Sequence, residues 1–347
     1  MRTPRPPLAP QPPDHLRYGL ALPQYDYSLP GGKIDWPAVK EWAQRAESLG
    51  FSSVWLSDHL FLDVSKYGGP SDRHAAMESL TTIAALIGQT SQIRLGAMVL
   101  CNDLRSPALV AKIVSTLAVL SGGRVEVGLG AGWYEPEYQE ASIPFDPPGV
   151  RVSRLEEAVQ VVRGMLSNDT WSFDGRHYRV DGAANAPRAE PPPAVWVGGK
   201  GDRIVKIAGR YADGYNAVWS WTPEEFASRV ALLEESAADA GRDPKRVARS
   251  VGLYCLPGED PASLERRWLT YGRASPSGTV PSDREAWQKG KLVGTPAEMT
   301  QTVKRFAALG VEEVILGFGV LPFQIADEEA VEYFAEAMIA GEKGEAR

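Results

Sequence analysis

From Leu16 onward, short apolar runs alternate with longer stretches whose apolar residues recur every three or four positions. RYGLALP (17–23) reads as a first strand. WPAVKEWAQRAESLG then puts Val39, Trp42, Ala43, Ala46 and Leu49 on one helical face, with Asp35 placed to cap it, Pro37 in the first turn and Gly50 at the end. The same pairing recurs. SSVWLSDH (52–59) precedes the helical MESLTTIAALIGQ. IRLGAMVL (93–100) precedes a helix that opens at Ser106-Pro107 and stops at Gly122-Gly123. RVEVGLG (124–130) precedes a helix over about 152–167. WSFDGRHYRV (171–180) alternates like a hairpin about Asp174-Gly175. AVWVGG (194–199), GYNAVW (214–219), RSVGLYCL (249–256) and EEVILGFG (312–319) are the remaining strands. Helices are expected over 202–211 and 327–340 and after the capping boxes that begin at Thr222 and Thr295. Residues 257–294 show no clear period and read as a long insertion with helical pieces.

Eight strand–helix units imply an all-parallel sheet. Over about 320 residues they fit a closed (β/α)8 TIM barrel with a hairpin insertion and a long insertion after strand 7. An open doubly wound sheet is the second choice. The expected organisation is a disordered proline-rich tail over 1–15 and a single barrel domain over 16–340. Barrel chemistry sits where the strands end, so the strand-to-helix loops hold the candidate residues.

Composition narrows the function. The net charge is −7 with no basic stripe, which argues against nucleic acid as a partner. No apolar run is long enough to span a membrane, and the N-terminal segment, with six prolines in its first 13 residues, has no apolar core of a secretion signal. Cys101 and Cys255 could pair, although two reduced thiols in a cytoplasmic protein are the better expectation. Four histidines without ligand spacing give no metal site.

The stretch GGRVEVGLGAGWYEPEY (122–138) carries three close glycines after a strand. It misses the dinucleotide fingerprint, because Trp133 stands where the last glycine belongs, the strand is the fourth rather than the first, and no ribose-gripping acid follows at the right distance. The remaining readings are a bare glycine turn, or a rim where Gly130 and Gly132 let backbone or a flat ring come close.

Four segments in order, GFSSVWLSDH, IRLGAMVLCNDLRSPALVAK, LSGGRVEVGLGAGWYEPEY and VWVGGKGDRIVKIAGRYADGYN, resemble the luciferase-like monooxygenase superfamily. So does the tail segment LVGTPAEMTQTVKRFAALGVEEVIL. Within the superfamily the chain looks most like the oxidoreductases that use the deazaflavin coenzyme F420. The resemblance implies a hydride transfer between coenzyme F420 and an apolar or aromatic small molecule in a cytoplasmic homodimer. The alternatives are an FMN-dependent monooxygenase that uses reduced flavin and oxygen, and a non-catalytic flavin-binding protein.

The resemblance also implies a non-proline cis peptide at the end of strand 3, which counting back from Arg105 and Pro107 places at Met98–Val99, behind the cofactor ring. It puts Asp58 and His59 at the ring's reactive edge, His59 as proton donor or acceptor and Asp58 as its orienting partner. Gly198, Gly199 and Lys200, at a helix N-terminus, are the expected phosphate site. Asn102 is expected at the ring's polar edge and Asn216 at the ribityl chain. His15, His74 and His177 are read as unremarkable. Where sugar-phosphate dehydrogenases of this branch carry a catalytic glutamate, this chain has Trp133, with Glu135 and Glu137 out of register. Tyr25, Phe61, Trp133, Trp219 and Phe318, with Tyr134 and Trp221 nearby, are expected to wall an apolar substrate pocket.

Overall fold

Trp55 and Trp196 project into the space enclosed by the strands, against Gly19, Gly96 and Gly214, which leave room for the two indoles. The computed structural model describes residues 16–71 and 73–340, so the expected tail over 1–15 lies outside the described residues. The barrel strands are β1 (Arg17–Ala21), β2 (Ser53–Leu56), β3 (Arg94–Cys101), β4 (Val125–Gly130), β5 (Val195–Gly198), β6 (Gly214–Ala217), β7 (Ala248–Pro257) and β8 (Glu313–Gly317). Each pairs in parallel with the next in sequence, and β8 returns to β1, so the barrel is closed.

The outer helices follow from local chemistry. In α1 (Trp36–Ser48) the Asp35 carboxylate accepts the Ala38 N–H. α2 is Ser79–Ile87, and α3 (Pro107–Ser121) ends on left-handed Gly122. α4 (Pro148–Ser167) starts four residues before the expected point, with proline in its first turn. α5 is Asp202–Tyr211. Both expected capping boxes form, at Thr222 for α6 (Pro223–Asp239) and at Thr295 for α7 (Pro296–Ala308). The last helix, α8 (Glu328–Phe334), continues as a π-helical turn over Ala335–Ala340.

The insertions differ in detail from the sequence reading. The hairpin pairs Thr170–Asp174 with Arg179–Ala184. Its loop reaches Tyr178, because the Glu157 carboxylate of α4 accepts the N–H groups of Arg176, His177 and Tyr178. Residues 257–294 hold helices Pro261–Ala274 and Arg284–Gln288 and a short strand, Leu292–Gly294, beside the end of β7. A short helix that the pattern did not show, Glu135–Glu140, follows β4.

At the end of the barrel away from the loops, polar groups replace apolar filling. Arg94 Nη2 lies 2.5 Å from the fully buried carboxylate of Glu313, and its other nitrogen contacts Glu126. Ser53 donates to Glu313 at 2.6 Å, and Trp196 donates to Glu126 at 2.7 Å. Burial works against the Glu313 charge. The charges of Arg94 and Arg17, with the hydroxyls of Ser53 and Ser52, outweigh it and hold this carboxyl below the usual glutamate range. Removing one partner of such a buried pair leaves the other uncompensated.

Glu313→Gln keeps the side-chain volume and removes the charge that balances Arg94. Urea denaturation should show a loss of about 3–5 kcal/mol at neutral pH. Because the folded-state pKa is lowered, Glu313 contributes stability above the unfolded glutamate range and loses it as pH falls through its folded value. The variant should lose less stability than the wild type across that acid range, and equal stability at neutral pH would contradict this account of the barrel floor.

Candidate active site

The peptide bond Met98–Val99 is cis, and the pairing of β3 with β4 slips between Ala97 and Leu100. The Val99 side chain enters the barrel mouth there. A Cβ on Gly128 would lie 2.8 Å from Val99 Cγ1, one on Gly198 would lie 2.6 Å from it, and one on Gly130 would strike Cγ2. Contacts that close force a neighbour to move. The glycines after strand 4 thus make room for a valine from strand 3. Gly132 is left-handed (φ +68°), and a side chain there would strike the Tyr138 hydroxyl.

Above Val99 opens a cavity of about 650 Å³, lined by Met98, Val99, Gly130, Gly132, Gly198 and Gly199 on the strand side. That size is typical of small-molecule and cofactor sites. Tyr25, His59, Trp133, Tyr134, Lys200 and Trp219 line the rest, with Tyr67 and Tyr254. Gly199 adopts φ +148°, outside the range of ordinary side chains, and its missing Cβ would lie 2.8 Å from Ile204. The next residues start α5, whose N-cap, Gly201, provides no side-chain hydrogen bond. The first-turn amides of such a helix lack intrahelical acceptors and face an anion readily.

His59 is held from a direction that sequence did not reveal. Its Nδ1 lies 3.0 Å from Glu137 Oε2, on the short helix after β4. The other oxygen of Glu137 accepts the N–H groups of Phe61, at 3.0 Å, and Leu60. Burial raises the Glu137 carboxyl, but the hydrogen bond and charge of His59 and the two backbone N–H groups outweigh it, and its pKa is lowered. An ionised acceptor at Nδ1 puts a proton on that nitrogen and leaves Nε2 as the exchangeable site. The imidazole packs edge-on to Trp133, with ring centroids 5.2 Å apart.

Asp58 does not orient His59. Its buried carboxylate takes a two-pronged bond from Arg105, at 2.7 and 3.0 Å, and accepts from Ser79 Oγ (2.8 Å) and Cys101 N–H (2.9 Å). It ties the end of β3 to α2 and to Arg105. Asp58 and His59 both follow the end of β2, but their side chains are bonded to different elements, Asp58 to Arg105 and α2 and His59 to Glu137.

Four expected residues do not line the cavity. Asn102 donates to Tyr178 Oη at 3.0 Å, which draws it to the hairpin. Asn216 donates to Ser250 Oγ at 2.7 Å inside the barrel. Phe318 is fully buried, with its ring 5.7 Å from that of Phe334 in α8. Phe61 is exposed and is not part of the cavity lining. Cys101 and Cys255 are both free thiols. Cys101 Sγ lies 3.0 Å from Tyr138 Oη, and burial pushes this thiol up to about 11. Among the described residues, no three His, Cys, Asp or Glu side chains converge as metal ligands. His15 and the side chain of His74 lie outside what is described.

A family model described as luciferase-like monooxygenase matches residues 17–313. The chain belongs to the luciferase-like monooxygenase family. One relative is the F420-dependent hydroxymycolic acid dehydrogenase of Mycobacterium tuberculosis, 32% identical over 286 residues, which are 81% of this chain and 76% of that protein. Another is the FMNH(2)-dependent dimethylsulfone monooxygenase of Pseudomonas fluorescens, 28% identical, covering 86% of this chain and 84% of the relative. Among solved structures, an F420-dependent secondary alcohol dehydrogenase in complex with an F420-acetone adduct shares the fold, with a TM-score of 0.73, 22% identity, and coverage of 94% of this chain and 98% of that one. The luciferase-like barrel therefore hosts both deazaflavin-named and flavin-named relatives, and the eight-stranded closure seen here is the one the family shares.

Gly130→Ala drives a methyl group into Val99 and should cost about 1–3 kcal/mol in chemical denaturation. Val99→Ala should recover most of that loss in the double variant. Additive losses would show that the two residues do not share this space.

Proposed function

We propose that this oxidoreductase is an F420-dependent enzyme that transfers hydride between deazaflavin and an apolar or aromatic small molecule. The observation that carries the reading is His59, fixed by ionised Glu137 at the edge of a cavity whose floor is Val99 and whose far rim is the Gly198–Gly199 turn. The residues present fit the group. Three glycines clear space around Val99 where a flat ring would rest, and Gly199, Lys200 and Ile204, at the start of α5, line the same cavity. The likeness to an F420-dependent dehydrogenase over 81% of the chain supports this cofactor.

A bound deazaflavin supplies a carbon centre that gives or accepts hydride. Val99 and Met98 would back its ring, and Gly198, Gly199 and Lys200 would hold its phosphate. His59 gives or takes the accompanying proton at Nε2, while Glu137 holds Nδ1–H and keeps the ring in one tautomer. Asp58 acts at one remove, by fixing the Cys101 end of β3 through the backbone. Trp133, Tyr134, Tyr67 and Trp219 exclude water and shape an apolar site. We also infer a homodimer in the cytoplasm from the family resemblance. No helix among the described residues is long and apolar enough to cross a membrane.

Titrating the protein separately with F420 and FMN, followed by cofactor fluorescence, should show the tighter site for F420. FMN binding without F420 binding would favour the flavin monooxygenase reading. In the F420-loaded enzyme, His59→Ala should lower kcat by about 10²–10⁴-fold with the F420 Kd nearly unchanged. Glu137→Gln should lower kcat by a smaller factor. Undiminished turnover in His59→Ala would remove the role assigned to this imidazole.

A further inference from the structure

Among the described residues, one cation on the cavity wall has no charged partner. The excursion between β2 and α2 carries a short 3-10 turn, Val64–Tyr67, beside the cavity, and Lys66 is one of its lining residues. Lys66 Nζ lies 3.0 Å from the centroid of the Trp133 ring, 4.5 Å from that of Tyr67 and 5.9 Å from that of Tyr134. Among the described residues, no carboxylate lies within ion-pair distance of it. The two acids that line the cavity are already engaged, Asp58 with Arg105 and Glu137 with His59. The other lining amine, Lys200, donates to the Trp219 carbonyl at 3.3 Å. Desolvation by its surroundings brings the Lys66 ammonium down to about 8, so it is still mainly charged at neutral pH.

An ammonium facing only aromatic rings is poorly compensated. The attraction of ring faces replaces only part of the hydration that it loses. An anion entering the cavity would complete its surroundings. The phosphate site proposed at the end of β5 lies three strands away in the barrel order from the β2 loop that carries Lys66, which leaves Lys66 for a different group. A single amine on a flexible stem offers one point charge, and the aromatic rings around it favour an anionic group borne on an apolar or aromatic body, for which a carboxylate is the simplest choice. Trp133 links this amine to the reaction edge, because its indole faces Lys66 and also packs against His59.

We propose that Lys66 is a substrate-recognition residue that binds the carboxylate of an otherwise apolar or aromatic substrate, placing the remainder of that molecule beside His59. This rests on the reading of the cavity as a substrate site. It narrows the substrate class to aromatic or apolar acids.

The test compares 2-naphthoate with 2-naphthamide by isothermal titration calorimetry, on full-length protein with and without added F420. Wild type should bind naphthoate more tightly by about tenfold, equivalent to about 1.4 kcal/mol. Lys66→Met should abolish the preference while changing naphthamide affinity little, and Lys66→Arg should retain it. A merely structural role would weaken both ligands together and leave their ratio unchanged in Lys66→Met, which would overturn the proposal. Wild type that binds the two equally, or binds neither, would also overturn it. Failure of F420 to bind would count against the cofactor reading alone, because the ligand ratio in cofactor-free protein still reports on Lys66.

Discussion

Val99 projects into the barrel mouth where Gly128, Gly130 and Gly198 carry no side chains, and this close packing sets the floor on which the site is built. Protein interiors tolerate little added volume, so one methyl group on any of the three would displace the valine or the backbone around it. The same residue lies where β3 slips its register against β4. What the sequence displays as a glycine-rich turn is the imprint of a side chain from the neighbouring strand. It yields a smooth apolar shelf, which suits a planar ring, and leaves the polar work to the loops.

Those loops divide the charges. Asp58 and Glu137 are both buried beside the cavity, yet they do opposite things. Asp58 is consumed by Arg105 and by backbone, and its task is to fix the strand end that carries the shelf. Glu137 reaches across from a neighbouring strand's exit and fixes the imidazole of His59 at the cavity wall. An acid spent on structure and an acid spent on orientation leave no free carboxylate on the wall among the described residues, which makes the ammonium of Lys66, facing aromatic rings, conspicuous. At the opposite end of the barrel, Arg94, Glu126 and Glu313 form a self-contained network whose role is stability. The separation of a stabilising floor from a chemical mouth is the division expected of this architecture.

The architecture was largely legible because each strand and helix advertises itself locally. Asp35, Thr222 and Thr295 cap where their spacing says they should, and the apolar runs fall within a few residues of the strands. The family likeness supplied the cis bond at Met98–Val99, which no periodicity displays. Contacts between distant residues were not legible. Glu137 is 78 positions from His59, and the only local hint was a proline–glutamate pair opening a short helix. Asp58 neighbours His59 in sequence, but the distant partners that draw its carboxylate away, Arg105, Ser79 and the Cys101 N–H, leave no local signal. Asn102, Asn216 and Phe318 sit at strand ends and Phe61 in the loop after β2, but sequence does not say which side chains pair with Tyr178, Ser250 and Phe334 and which are left exposed.

The central claim is that the Val99 shelf and the Gly198–Gly199 turn seat a deazaflavin beside His59. A crystal structure of the protein soaked with F420 tests it most directly. The account requires the tricyclic ring to lie against Met98–Val99, its phosphate at residues 198–201 and its reactive edge toward His59 Nε2. A ring bound elsewhere, or one facing away from His59, would contradict it.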